Sequence, residues 1–310
     1  MRSSPAVLAT DPARPVRLAR SDGVVTTAVG ATREVHPRLT GLVRSVVGYD
    51  QHVAAGAIHL GPPSTGVQLV ISFDLDQRIG PADGSRPATT VTSFVAGIHD
   101  ELVAITAPRF HGMQVELTPI GALRILGPIA EVARRTVPLD AVLGAPGRAL
   151  EDRLANARGW TDRFDALEHA LIQRLPDTPR VRRELPFALG RMVATGGLLP
   201  VQELAGELAW SRRHLSGTFN RAFGLSPKRI AQLVRLEQVT ARLDHGRDLA
   251  AVAAETGFAD QAHLTHEVRA FTGLTPTQLR ERRLPDGWFE VPGHHARGSH
   301  PSKTAGPSGP

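Results

Sequence analysis

The chain contains no cysteine. Disulfides, thiolate metal sites and thiol nucleophiles are therefore excluded. No apolar run approaches the ~18 residues that a membrane-spanning helix needs, so no membrane contact is expected. Met1 to Arg20 carries basic residues but no sustained apolar stretch, which does not read as a secretory signal; a cytoplasmic protein is expected. There is no Gly-x-Ser-x-Gly elbow, and the glycine-rich stretches lack the Lys-Ser/Thr ending of a phosphate loop. On these grounds no catalysis and no cofactor are expected.

What is present suits a two-domain chain: 310 residues, 41% of them hydrophobic. The formal charge is +6, and its distribution says more than its size. From Arg180 to Leu284 there are 16 basic and 10 acidic residues, while the remainder holds 20 of each. All of the excess positive charge thus lies in one segment, the expected footprint of phosphate binding.

Composition divides the rest. Residues 1–20 are rich in Pro, Arg and Ala without periodicity and are expected to form a disordered arm; residues 285–310 read as a flexible tail. Between about 22 and 118 the pattern is β. Short apolar or alternating runs at Val67–Phe73, Thr89–Ile98, Glu101–Thr106 and Gly112–Leu117 are punctuated by Pro62-Pro63, Gly80-Pro81, Asp83-Gly84 and Pro108. Closely spaced short strands predict a small barrel or sandwich. Helical spacing takes over in Ile120–Arg135 and again in Arg148–Leu175, through Leu150, Leu154, Phe164, Leu167, Leu171 and Leu175. Pro176-Asp-Thr-Pro179 marks the expected boundary, giving a β-rich domain with a helical bridge over 21–178 and an all-α domain over 179–284. The fold class is α+β.

The basic segment repeats itself. His214-Leu215 matches His263-Leu264, and Gly224-Leu-Ser-Pro227 matches Gly273-Leu-Thr-Pro276, both at an offset of 49 residues. Glu207 matches Glu255 at 48, so the second copy has one extra residue at its turn. Each copy reads as a short helix, a tight turn and a polar-faced helix buried through Leu215 and Phe219, or through Leu264 and Val268. Gly224 and Gly273 suit a left-handed helix end. Ser226-Pro227 and Thr275-Pro276 suit the start of the next helix, with Thr275 and Gln278 at capping-box spacing. Between the copies, Ile230, Leu233, Val234, Leu236, Val239 and Leu243 predict one helix over 226–245. At ~1.5 Å per residue it would be about 30 Å long, close to the ~34–36 Å between successive major grooves.

This doubled helix-turn-helix resembles the AraC/XylS family of transcription regulators. The likeness rests on Gly224-Leu-Ser-Pro-Lys228, Asp260-Gln-Ala-His-Leu264 and Gly273-Leu-Thr-Pro276, and it spans Arg180 to Arg283. A looser likeness to one subgroup extends over Met113–Gly127 and the helices to Leu175. The resemblance implies double-stranded DNA as partner, RNA polymerase as a protein contact, and an N-terminal domain that senses a small molecule or pairs two chains. It gives Arg213, Ser216 and Gly217 as base readers in the first unit, and Gln261, Ala262, His263, Thr265 and His266 in the second. Arg213 offers the donor fork for guanine O6/N7, and Gln261 can pair with adenine. Arg212, Asn220, Lys228, Arg229 and Arg269 are the expected phosphate or neighbouring contacts. The family often has arginine where this chain has Gly217 and His266. Members that repair alkylated DNA use cysteine chemistry, which this chain cannot perform.

Plainer roles compete for some of these residues. Asp260 reads as an N-cap, and Trp210 and Phe258 as core residues at the turns. His214 and His263 occupy equivalent places and could share a packing role. Two other readings of the N-terminal part stand beside the sensor. One is a metal-dependent enzyme fused to a DNA reader, using His52, His59, His99 and His111, although none forms a His-x-His or His-x-x-x-His pair. The other is a non-catalytic adaptor that dimerises through Leu150, Leu154, Leu167 and Leu171.

Overall fold

Alternation along single strands explains the N-terminal architecture. In β5 (Val67–Ser72), Val67, Leu69 and Ile71 point to one face of the sheet and join the main core, while Val70 points to the other and joins a second cluster. The same parity holds in β8 (Phe94–Ala96), where Val95 and Phe94 separate, and in β10 (Arg109–Leu117), where Met113, Val115 and Leu117 separate from Phe110. A strand buried on both faces reads as a nearly continuous apolar run, which is the form of Val67–Ser72. The protein is described here by a computed structural model covering residues 16–19, 25–52, 58–175, 181–243, 247–282 and 289–291.

The remaining strands are β1 (Val16–Ala19), β2 (Val25–Thr32), β3 (Val43–His52), β4 (Ile58–Gly61), β6 (Gln77–Pro81), β7 (Thr89–Val91), β9 (Val103–Thr106), β11 (Thr136–Pro138) and β12 (Phe289–Val291). They form a seven-stranded sheet ordered β1-β2-β3-β10-β5-β8-β11 and a five-stranded sheet ordered β12-β4-β9-β6-β7. The pairings are antiparallel, and β10 is central, pairing β3 on one side and β5 on the other. The second cluster joins the two sheets through Val70, Phe94 and Phe110 from one and Ile79, Val91 and Ile105 from the other.

The opposite face of the large sheet is covered by helices. These are α1 (Pro119–Ile125), α2 (Leu139–Leu143), α3 (Ala145–Ala155) and α4 (Trp160–Arg174). Thr118 Oγ1 caps α1 by accepting from Gly121 N at 2.9 Å, and Arg174 Nε donates to the carbonyl of Ile125 at its end. Leu150, Leu154, Leu167 and Leu171 are all buried in the same core as Val115 and Leu117. That stripe is therefore interior packing and leaves no free face for the dimerising adaptor.

Several expectations are corrected. Thr89–Ile98 is not one strand: it breaks at Thr92-Ser93 and sends β7 and β8 into different sheets. Ile120–Arg135 is not one helix, because Gly127 takes a φ of 92° and Pro128 follows it. Arg148–Leu175 is interrupted between α3 and α4, with Gly159 preceding the second helix. Within the arm expected to be disordered, Val16–Ala19 pairs with β2. Within the expected tail, Phe289–Val291 pairs with β4. In both, a short apolar alternation occupies an otherwise open sheet edge. The rest of the arm, residues 1–15 and 20, the rest of the tail, and the 176–179 boundary lie outside the described residues.

The C-terminal part comprises α5 (Glu184–Ala194), α6 (Val201–Glu207), α7 (Arg212–Phe223), α8 (Pro227–Leu243), α9 (Leu249–Glu255), α10 (Gln261–Thr272) and α11 (Pro276–Glu281). Internal repetition extends to individual hydrogen bonds. Trp210 N donates to Ala205 O at 2.8 Å, and Phe258 N to Ala253 O at 2.9 Å, closing both turns alike. Gly224 and Gly273 each take a φ of 70° at the helix end. The Thr275/Gln278 capping box is present in both directions. The connector helix α8 is described over 17 residues, about 25 Å at ~1.5 Å per residue. It is described to Leu243, and the expected end at His245 lies outside the described residues.

One difference between the copies carries a prediction. The turn residue is Gly257 (φ 73°) in the second unit and Ala209 (φ 54°) in the first. A left-handed conformation costs an alanine roughly 1–2 kcal/mol, and glycine's greater freedom in the unfolded chain offsets about half of that. Ala209→Gly is expected to raise stability by about 0.5–1 kcal/mol, read as a higher urea midpoint at unchanged slope.

Candidate nucleic-acid interface

The outer faces of α7 and α10 follow from helical geometry. At about 100° per residue, Leu215, Thr218, Phe219 and Phe223 gather on one side of α7 and are buried. Arg213, Gly217 and Asn220 lie opposite. In α10, Leu264, Val268, Phe271 and Thr272 are buried, which leaves Ala262, His266 and Arg269 opposite. Ser211 Oγ accepts from His214 N at 3.1 Å, and Asp260 Oδ1 from His263 N at 2.7 Å, so both helices open on a capped first turn.

The candidate residues fall into groups. Arg212, Arg213 and Asn220 are exposed, with Ser216 and Gly217 half-buried between them. In the second unit, Gln261, Ala262, Thr265, His266 and Arg269 line one open depression together with Ala270. His263 does not join them. Its ring stands edge-on to Phe258 at 5.2 Å, as that of His214 does to Trp210 at 4.5 Å. The repeated histidines thus share a packing contact with the turn aromatic.

Ion pairing sorts the cations. Arg191 is bound to Glu207, Arg235 to Glu267, and both Arg242 and Arg247 to Glu255. Arg212, Arg213, Arg221, Lys228 and Arg269 have no carboxylate partner among the described residues, and all five are exposed. These five cations lie on α7, on α10 and in the first turn of α8; Arg182 and Arg183 before α5, and Arg280 and Arg282 at α11, also lack a carboxylate partner among the described residues. Arg221 was missed by the sequence reading, although it stands four residues beyond Gly217 and eight beyond Arg213.

Arg229 is placed elsewhere. Its Nε donates to Asp100 Oδ2 at 2.6 Å, its Nη2 donates to the Asp100 carbonyl at 3.1 Å, and its guanidinium lies 3.8 Å from the centre of the Phe271 ring. Arg229, expected as a phosphate contact, is engaged in this structure by Asp100, an acidic residue of the β-rich part 129 residues away. Asp100 also accepts two bonds from Arg134. Burial raises the Asp100 pKa, but the bonds and charges of the two guanidiniums outweigh it and hold the group down at about 2.

A second contact holds the middle of α8. Glu237 Oε1 accepts from Ser64 Oγ, Thr65 N and Thr65 Oγ1 at 2.7–2.9 Å, with Arg44 at 3.3 Å. At the end of α7, a Cβ on Gly224 would come within 2.5 Å of the Ala130 carbonyl, so the glycine permits a close approach as well as the turn. The histidines weighed as metal ligands do not converge, and no group of three ligating side chains occurs among the described residues. His59 packs on Phe110, His99 Nδ1 meets the carbonyl of Gly97, His111 meets Asp74, and His52 ends β3. Burial lowers the His99 pKa, opposed by that carbonyl.

Two capped helices with bare cationic faces, each set behind a tight turn, define a helix-turn-helix protein of the DNA-binding class. Residues 204–282 match the family model described as a helix-turn-helix domain, and that segment is a helix-turn-helix domain of the AraC type, the DNA-binding part of transcription regulators. Solved structures similar to the chain include ToxT from Vibrio cholerae, at 9% identity over 74% of this chain and 95% of that one, with a TM-score of 0.44. Others are the C-terminal domain of AraT, a response regulator from Geobacillus stearothermophilus (17%, 40% and 98%, 0.32), and that of the response regulator yesN from Fusobacterium nucleatum (20%, 31% and 97%, 0.29). No curated protein sequence matches the chain. Among the described residues no helix is long and apolar enough to cross a membrane.

Proposed function

We propose that each chain reads double-stranded DNA by setting α7 and α10 into successive major grooves. Arg213, Ser216 and Gly217 face bases in the first, and Gln261, Ala262, Thr265 and His266 in the second. Arg212, Asn220, Lys228 and Arg269 hold phosphates. The observation that carries this reading is a set of exposed cations without a carboxylate partner among the described residues on the two capped helices and the start of α8: Arg212, Arg213 and Arg221, Arg269, and Lys228, whereas Arg191, Arg235, Arg242 and Arg247 are neutralised. The residues from Glu184 to Arg282 act as the DNA-binding unit, and the β-rich domain adjusts them.

The adjustment runs through Asp100 and Glu237, which join the β-rich domain to α8. A cavity of about 70 Å³ lies between the sheets, and its lining includes Ser64, which bonds Glu237, and His99, the residue before Asp100. That volume is far below the roughly 300 Å³ of a drug-sized site. An effector bound there is either a few heavy atoms across or enters as the sheets part.

Lys228 tests the phosphate role. Lys228→Ala is expected to weaken binding to every sequence and to lower the slope of log K against log salt by about 1. Fluorescence anisotropy on specific and random duplexes reads both. An unchanged slope would contradict phosphate contact by this lysine.

A further inference from the structure

The two recognition helices carry their long side chains in inverse order. At the offset of 49, Arg213 corresponds to Ala262, Gly217 to His266, Asn220 to Arg269 and Arg221 to Ala270. In α10 the long side chains occupy the middle of the face and small ones its ends. In α7 two arginines stand at the ends of a face whose middle is bare.

That bare middle is covered. A Cβ on Gly217 would lie 3.2 Å from Nη1 of Arg221, so the Arg221 guanidinium folds back over the glycine toward the start of the helix. Helical side chains lean in this direction, and an i, i+4 pair is within reach. Nη2 of Arg221 donates to Thr218 Oγ1 at 3.3 Å, which steadies one edge of the fork. No carboxylate competes for the guanidinium among the described residues, and the residue is exposed. By backbone position Arg221 stands one turn beyond Gly217, at the end of the face; by the position of its charged end it belongs to the centre.

We propose that Arg221 is a base-reading residue of the first unit, presenting its guanidinium to a guanine edge in the major groove from above Gly217. The assignment rests on the reading of α7 as a recognition helix and adds a specificity-determining residue to it. The chemistry is that of a planar fork of donors meeting O6 and N7 of guanine. Gly217 has a definite part: a Cβ there would press on the guanidinium and shift it by a few tenths of an ångström.

The test uses the full chain. A preferred duplex is selected from a random pool with the wild-type protein, and anisotropy is then measured on it and on a scrambled duplex across a salt series. Arg221→Lys keeps the charge and loses the fork. It is expected to bind the scrambled duplex as the wild type does, with the same salt slope, and to lose about 10-fold on the selected duplex. Replacing one guanine of that duplex should abolish the difference. Gly217→Ala is expected to weaken specific binding in the wild-type background and to add nothing to Arg221→Lys. Wild-type affinity of Arg221→Lys for the selected duplex would overturn the assignment, as would an equal loss on both duplexes with Arg221→Ala, which marks a phosphate contact. A selection that enriches no sequence would overturn the base-reading function itself, an outcome distinct from the other two.

Discussion

Phe219→Ala is expected to lower the stability of the C-terminal part by about 3–5 kcal/mol, the usual cost of emptying a buried phenylalanine site. Phe219 is fully buried beneath α7, with its ring 5.4 Å from that of Phe223 in a T-shaped contact. Leu215, one turn before it on α7, and Leu233 and Val234 of α8 belong to the same buried core. The loss of the first recognition helix should follow, and with it specific DNA binding. Arg213→Ala is the contrasting substitution. It removes an exposed side chain without an ion pair, so the thermal midpoint should stay within a degree or two, while binding to the preferred duplex falls by ~1–3 kcal/mol and base preference relaxes at one position. Thermal or urea denaturation beside anisotropy separates the two. An Arg213→Ala chain that binds selected and random duplexes with equally reduced affinity would argue against base reading by that residue.

Asp100→Asn is expected to move stability and DNA binding in opposite directions. Asp100 is buried and accepts bonds from Arg134 and Arg229, which are themselves partly exposed. Its pKa stands at about 2, below the ordinary 3.8. A drop of that size corresponds to about 2 kcal/mol in favour of the ionised form. Because the folded value is depressed, the contribution is fully present above pH ~4 and is lost as pH falls from about 4 to about 2. The wild-type chain should therefore lose stability across that window more steeply than the Asp100→Asn chain, and should be the more stable of the two at neutral pH. Binding should change the other way. With Asp100 neutral, Arg229 at the start of α8 becomes free to meet a phosphate, so affinity for all sequences rises and the salt slope steepens. If Asp100→Asn leaves DNA affinity unchanged, Arg229 takes no part in binding and the contact is purely structural.

Features that depend on near neighbours in sequence were legible before the fold was known. The capping box at Thr275, the left-handed Gly224 and Gly273, and the buried stripe from Leu215 to Phe223 all follow from spacings of a few residues, and the 49-residue repeat doubles each signal. Features set by distant partners were not. The split between β7 and β8 depends on which sheet each half can join, and Thr89–Ile98 carries the same alternation in either case. The edge strands β1 and β12 are too short to stand out among the prolines and arginines around them. Arg229 looked like a phosphate ligand because it opens a basic helix; nothing near it in sequence points to Asp100. Arg221 could have been found, since its spacing from Gly217 is a single helical step, but only the folded geometry shows the guanidinium lying over the glycine.

The central claim is that one chain engages two successive major grooves through α7 and α10. Its most direct test is a chemical footprint of the full chain on a duplex selected from a random pool, in the presence of excess competitor DNA. Two protected patches on one face of the duplex, about 10 base pairs apart, are predicted, with the α7 patch lost on Arg213→Ala and the α10 patch lost on Gln261→Ala. A single patch, or two patches that respond together to either substitution, would contradict it.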